Sequence, residues 1–352
     1  DPSLRTADQI VRMINSRFPA AVTGTQDPSR VDLKIPAHFQ QEKTRFLDLV
    51  GTVYLREAPG ARERRVHLLA EVLRTRQDQD RIAVAMEAFG QETASVLRQL
   101  VQDRDEGVRF YAARTMARLD FVDAIRTLGP IAKNNNSPFQ EQAVRALARL
   151  SNGIGLPILA KTLDAPSPLV RIAAYEGMRT LRDRSIREKV FTDKFKLGHA
   201  PTRSKPFVFV ARRDEPRIVL FGNPRLKSPV LIETSRILAS APKGRNSLVI
   251  ITKKLGRDIK LTSSFDLMEI IEKLAGPLHL AENGEPEALD LNYGDVVVFI
   301  DAAHQSGAME AQIVLQPLEI LVPGGARPTG GRPGAEVELE PEPQNNQKKQ
   351  GP

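Results

Sequence analysis

The chain of 352 residues has no cysteine, no tryptophan and only five histidines. Without cysteine there is no disulfide, no thiol nucleophile and no cysteine-ligated metal. His38, His67, His199, His279 and His304 are scattered at spacings that fit no metal motif. Aromatic residues make up 5% of the chain, too few for a carbohydrate-stacking cleft or a platform for bases. The longest apolar runs, such as Val296 to Ile300, fall far short of the ~20 residues a membrane-spanning helix needs. Catalytic groupings are also missing. Asp301 and His304 lie one helical turn apart with no activated serine in sequence context, and Glu269 and Glu272 read as a solvated face. Gly324, Gly325, Gly330 and Gly331 have no strand before them or helix after them, so they form no phosphate loop. The expectation is a non-catalytic protein with no cofactor and no metal.

What the chain has instead is self-similarity. Tyr111–Leu119, Gln142–Leu150 and Ala173–Leu181 superimpose at a step of 31 residues, so that Met116, Leu147 and Met178 coincide, as do Leu119, Leu150 and Leu181. Leu97, Leu128 and Leu159 keep the same step, followed by Val101, Ala132 and Leu163. An earlier unit runs through Ala83, Met86 and Phe89 at a step of 30. A fixed period of this size marks stacked supersecondary units. Val108, Ala112, Met116 and Leu119 recur at helical spacing. Between the units lie Asp103-Arg104-Asp105, Asn134-Asn135-Asn136-Ser137-Pro138 and Asp164-Ala165-Pro166-Ser167-Pro168, which end one helix and start the next. One such helix pair cannot bury its apolar face alone, and stacking supplies the missing cover.

The pattern Asp103…Val108-Arg109-Phe110-Tyr111-Ala112-Ala113, echoed by Leu169-Val170-Arg171-Ile172-Ala173-Ala174, resembles the HEAT repeat family in its short form, over about residues 62–187. The resemblance implies a scaffold in which Asp and Arg pair between units, here at Asp103, Arg109, Asp164 and Arg171. Gln140 stands in the place of the Arg in the middle unit. Tetratricopeptide and ankyrin signatures are absent.

At 41% hydrophobic residues the chain can build a sizeable core, and its length allows two or three domains. The expected fold is multi-domain, with an α-solenoid of HEAT-like helix pairs in the middle. An α/β segment over 1–56 precedes the repeats of 57–186. A basic linker over 187–205, an α+β domain over 206–322 and a disordered Pro/Gly- and Glu-rich tail over 323–352 follow. In the α+β domain strands are expected over 207–210, 217–221, 229–232, 247–251, 259–261 and 311–318. Helices begin at Ser264 and carry Val296 to Ala303. Several strands before any helix favour an antiparallel sheet with helices on one face.

Within the first segment, Ile10, Ile14 and Phe18 form a stripe on a helix that starts at Thr6 or Asp8 and stops at Pro19. A turn at 25–29 leads to an alternating strand, Val31 to Ile35, ended by Pro36, and a helix over 40–50 packs Phe46, Leu47 and Val50. Taken in order, Asp1-Pro2-Ser3-Leu4-Arg5-Thr6-Ala7, Ile10, Ile14-Asn15, Phe18, Asp27, Val31 to Pro36 and Phe46-Leu47 resemble a segment of the flagellar P-ring protein family, over about the first fifty residues. The resemblance implies a periplasmic, self-associating subunit of a ring around the flagellar rod. Its partners would be the rod, the outer ring and peptidoglycan, and Ile10, Ile14, Phe18, Leu33, Ile35 and Phe46 would form its assembly segment. In this chain the repeats stand where that family continues in strands. No secretory signal is visible after Asp1, and the ring reading expects one upstream.

A second reading starts from charge. The net charge is +8, which suits an acidic partner. The strongest basic run lies over 182–213, where Phe191, Phe195 and Phe207 interleave with Arg187, Lys189, Lys194, Lys196, Arg203 and Lys205. These six are the candidate contacts of a basic HEAT-repeat module for nucleic acid or another polyanion. A solvated connector with its Phe side chains tucked under it accounts for the same residues. Arg62, Arg64 and Arg65 crowd the start of a helix over 63–75, the unfavourable end for cations, which hints at an external anion or a solvated cluster.

Overall fold

The computed structural model describes residues 3–18, 24–40, 42–52, 60–213, 215–254, 257–279 and 286–316, all within one unit, Asp1–Gln316. The expected tail over 323–352 lies outside the described residues, as do Asp1, Pro2, Pro19 and the last two residues of the strand expected over 311–318.

The first segment folds as α1 (Leu4–Arg17), a hairpin of β1 (Gly24–Asp27) and β2 (Arg30–Asp32), and α2 (Lys43–Gly51). The helix opens before Thr6 because the Ser3 hydroxyl accepts the Thr6 N–H at 3.1 Å, capping the first turn. The stretch expected as a turn is half strand: Asp27 ends β1, and its Oδ1 accepts the Ser29 N–H at 2.8 Å. Ile14 and Phe46 are buried at the centre of this segment, with Ile10, Phe18, Leu33, Ile35, Phe39 and Val50 packed around them.

The repeats follow as α3 (Ala61–Arg74), α4 (Gln79–Phe89), α5 (Ala94–Leu100), α6 (Glu106–Arg118), α7 (Ile125–Lys133), α8 (Gln140–Leu147), α9 (Leu156–Thr162) and α10 (Pro168–Thr180). Their starts come from the turn chemistry: the Asp105 side chain accepts the Val108 N–H to cap α6, and Pro168 sits in the first turn of α10. Leu97, Leu128, Leu159, Met116, Leu147 and Met178 are all buried in one core, each contributing on the order of 1.5–3 kcal/mol. Polar groups join neighbouring units at equivalent positions. The Ser137 hydroxyl donates to Glu106 at 2.5 Å, and the Ser151 N–H donates to Asp120 at 3.0 Å, both across 31 residues.

The expected Asp–Arg ladder takes another form. Arg109 donates to the carbonyls of Asp103 and Arg104, Gln140 to that of Ala132, and Arg171 to that of Lys205. Carbonyls at helix ends and in turns lack partners of their own, and these donors meet them. Asp103 instead takes Arg74, at 3.1 Å, and Asp164 accepts from Thr202 and the Arg203 N–H.

Beyond the array come β3 (Arg187–Phe191), β4 (Phe195–Ala200), β5 (Phe207–Ala211), β6 (Arg217–Phe221), β7 (Val230–Glu233), β8 (Ile237–Ala241), β9 (Leu248–Lys254), β10 (Arg257–Ser263), α11 (Leu267–Ala275), α12 (Tyr293–Gln305) and β11 (Gln312–Leu315). Two differences from the sequence reading stand out. The stretch expected as a linker, 187–205, contains β3 and β4, because Phe191, Phe195 and Leu197 are core residues spaced among the cations. In place of one antiparallel sheet there are two sheets. A mixed five-stranded sheet has the order β11-β5-β6-β4-β3, with β11 parallel to β5 and β4 parallel to β6. An antiparallel meander has the order β10-β9-β8-β7. One face of the mixed sheet, through Val208, Val210, Ile218 and Leu220, shares a core with α11, α12 and the inner face of the meander. The other face, through Phe207, Phe209, Val219 and Phe221, belongs to the core of the array.

Candidate functional site

The six candidate polyanion contacts fall in two places. On the β3–β4 hairpin, Lys189 pairs with Glu272 at 3.1 Å, Lys194 with Asp290 at 2.6 Å and Lys196 with Glu215 at 2.5 Å. Lys194 also donates to the Ala275 carbonyl at 2.7 Å. Arg187 is exposed at the start of β3. Arg203 and Lys205 sit on the loop before β5, where their backbone groups bond Asp164 and Arg171. The carboxylates that hold the hairpin lysines come from distant segments, which no local reading of 182–213 contains. Arg62 at the start of α3 is likewise paired, with Glu92 at 2.7 Å, and lies 5.3 Å from the Phe89 ring centroid.

The assembly segment behaves as a core. Ile10, Ile14, Phe18, Leu33, Ile35 and Phe46 all face one another, with Phe18 edge-on to Phe46 at 5.4 Å between centroids. They shape the segment from within, and its charged surface meets the array. Arg45 pairs with Glu87 of α4, and Glu42 takes both Arg118 (3.3 Å) and Arg149. Arg17 donates to the Glu87 carbonyl at 2.8 Å. Burial pushes the Glu42 carboxyl up, but Arg118, Arg149 and Arg45 outweigh it and leave its pKa below the ordinary value. Burial lowers the pKa of Arg149, and neighbouring Arg118 adds to the effect. Arg118 and Arg149 stand 31 residues apart at equivalent positions of successive units. That periodicity was visible in the sequence, but nothing there pointed to Glu42 as their shared partner.

At the other end of the array Tyr175 is fully buried, and its hydroxyl donates to Glu188 at 2.8 Å. Arg217 is 7% exposed and pairs with Glu176 at 2.6 Å, while Arg179 reaches Glu188 and Glu215 at 2.8 and 2.9 Å. Burial, reinforced by Glu188, raises the Tyr175 pKa well above its ordinary range, so the phenol stays protonated. With Lys196 on Glu215, three cations meet three carboxylates here and tie α10 to the sheet.

Asp301 accepts from Gln305, whereas His304 bonds the Met309 carbonyl, so the two do not form a pair. Glu269 is held by Lys273 and Ser264, which pull its pKa down to about 2. Glu272 is the partner of Lys189. No group of three metal-ligating side chains occurs among the described residues. A cavity of about 430 Å³ beside β7 is lined by Val230, Leu231, Ser240 and Ser306 among others, with no titratable side chain in its wall.

Residues 93–179, from just before α5 to α10, match the family described as HEAT repeats. This is about a quarter of the chain and leaves the N-terminal segment and both sheets unmatched. Searches of curated proteins and of solved structures gave no match. No helix among the described residues is long and apolar enough to cross a membrane.

Proposed function

We propose that this protein is a non-catalytic interaction scaffold whose helical repeats hold partner proteins. The observation that carries the reading is the HEAT repeat stack itself, α5 to α10, in which each unit is completed by the next. Such stacks present long continuous surfaces and act by contact.

The finer proposal is a structural subunit resembling the flagellar P-ring protein, working in the periplasm by self-association around the rod. What supports it is the order of residues over 1–50 and their folding as a helix, a short hairpin and a second helix around Ile14 and Phe46. The test is sedimentation of the full-length gene product over a wide range of loadings, with electron microscopy of the heavy fractions and fractionation of the native cells. Closed particles of one size and a periplasmic location are expected. A product that stays in the cytosol and forms no closed particle would overturn the ring reading and leave the scaffold standing. The polyanion alternative draws no support from the hairpin lysines, which are already neutralised. DNA retention that falls steeply with salt and disappears on reversing Arg187 and Lys189 would revive it.

A further inference from the structure

The outer face of the β7–β10 meander is uncovered among the described residues. Its composition can be read row by row from the strand register. One row runs Leu231, Ser240, Val249, Thr262 across the four strands. The next runs Glu233, Leu238, Ile251, Lys260. The inner face, through Ile232, Ala239, Ile250 and Leu261, is buried against α11 and α12. On the outer face Leu231 is 69% and Leu238 38% exposed, and Val249 and Ile251 are half-buried. An antiparallel sheet with one face in water ordinarily alternates apolar inside with polar outside. Here three of the four middle positions of the wet face, Leu238, Val249 and Ile251, are aliphatic too.

The second row places a carboxylate at one edge of the sheet and an ammonium at the other, with two aliphatic side chains between them. Glu233 and Lys260 are exposed, and neither has an ion-pair partner among the described residues. Such a row complements its own reverse. Take a two-fold axis parallel to the strands, running above the gap between β8 and β9. It lays the sheet of a second copy over the first, setting Glu233 of each copy opposite Lys260 of the other and Leu238 opposite Ile251. The first row is compatible with the same operation, which sets Leu231 against Thr262 and Ser240 against Val249. Sheets stacked face to face sit ~10 Å apart with strands aligned to within about 30°, a geometry that lets these side chains interdigitate.

We infer that the outer face of the meander is a self-association surface that takes a second copy of this chain, sheet on sheet, about that two-fold axis. Two-fold contacts use the same patch on both partners, so one row supplies both halves of both ion pairs. The area is modest: four strands at ~4.8 Å spacing and about five residues at ~3.3 Å give on the order of 300 Å² per copy. A lone pair is therefore weak, and the same contact gains strength inside an assembly held by other surfaces, through effective concentration. The inference goes beyond the ring reading and does not depend on it, since it uses no residue of the N-terminal segment.

The test is sedimentation velocity of the full chain at rising loadings, for the native protein, E233K, K260E and the double swap E233K/K260E. Each single reversal sets like charges against each other twice and is expected to weaken dimer formation about tenfold or more. The double swap restores both pairs and is expected to return the native behaviour. Circular dichroism and the thermal midpoint should be the same for all four proteins, since both side chains are exposed. Native protein that stays monomeric at the highest loading overturns the inference. So does association that single reversals leave unchanged, an outcome that moves self-association to another face and leaves the ring reading intact. A rescued dimer with no closed particle does the opposite, keeping the sheet contact and removing the ring.

Discussion

At its C-terminal end the array shares a core with the mixed sheet. At its N-terminal end it meets the segment 3–52 across ion pairs. Phe207 and Phe221 stack at 4.2 Å between centroids, Tyr175 lies edge-on to Phe221, and the Arg171 guanidinium sits 4.6 Å from the Phe207 centroid. Phe207, Phe221 and Tyr175 belong to the same apolar cluster as Met116 and Leu147. The N-terminal segment keeps a separate cluster around Ile14 and Phe46, and its ties to the array include Glu42, Arg45 and Arg17. Buried apolar area is indifferent to pH, whereas paired carboxylates and guanidiniums respond to protons and are weakened by salt where solvent reaches them. The array and the mixed sheet, joined by one apolar core, are expected to unfold together, and the N-terminal segment, with its own small core, is expected to open at lower cost.

The most damaging way to break this contrast is Phe221→Ala. It removes a fully buried ring from the shared core and is expected to cost about 3–5 kcal/mol. Denaturant unfolding followed by circular dichroism should show one transition, moved as a whole. If the helical signal instead unfolds at its native midpoint while the sheet melts early, the shared core does not unite them. Gly198→Ala is the next largest. A Cβ there would lie 2.3 Å from the Tyr175 hydroxyl oxygen, and the overpacking is expected to cost about 1–3 kcal/mol. An unchanged thermal midpoint would mean the β4–α10 contact is looser than the structure has it.

Glu42→Gln tests the other junction. It removes the carboxylate between Arg118 and Arg149 and is expected to cost about 1 kcal/mol. Faster hydrogen exchange should appear in α1 and α2 and not in α7 or α9. Acid should produce part of the same effect. The Glu42 pKa is depressed in the folded state, so its contribution is complete above the ordinary value of 4.5 and is lost as the pH falls below it. Exchange in α2 should rise over that window in the native protein and be flatter in Glu42→Gln. Equal slopes would assign the acid response to other carboxylates.

The array was legible because its information is local and repeated. Leu97, Leu128 and Leu159 announce one buried position three times, and two of the turns between units carry helix-starting residues, Asp105 and Pro168. The first helix was legible for the same reason, through the stripe of Ile10, Ile14 and Phe18, whereas the strand expected over 31–35 ends at Asp32 and Leu47, expected to pack, is exposed. The hairpin of β3 and β4 was not. Its cations dominate the composition, and the carboxylates that pair with them, Glu215, Glu272 and Asp290, lie 19 to 96 residues away. Strand β8 was missed because Ser240 and two alanines dilute its pattern. The parallel pairing of β4 with β6 and β11 with β5 is also beyond local reading, since strand order depends on which edges remain free after β5 and β6 have paired. The sites followed the same rule. Arg118 and Arg149 could be found from the period, but their meeting at Glu42 required the fold.

The single carboxylate spanning those two guanidiniums has a mechanical consequence. Stacked helix pairs flex like a spring, by small rotations of each pair against the next. Glu42 reaches across one such joint, so opening that joint also costs the bridge, about 1 kcal/mol. The small N-terminal piece works as a light splint across two coils of the spring, favouring bending at the joints it does not cross.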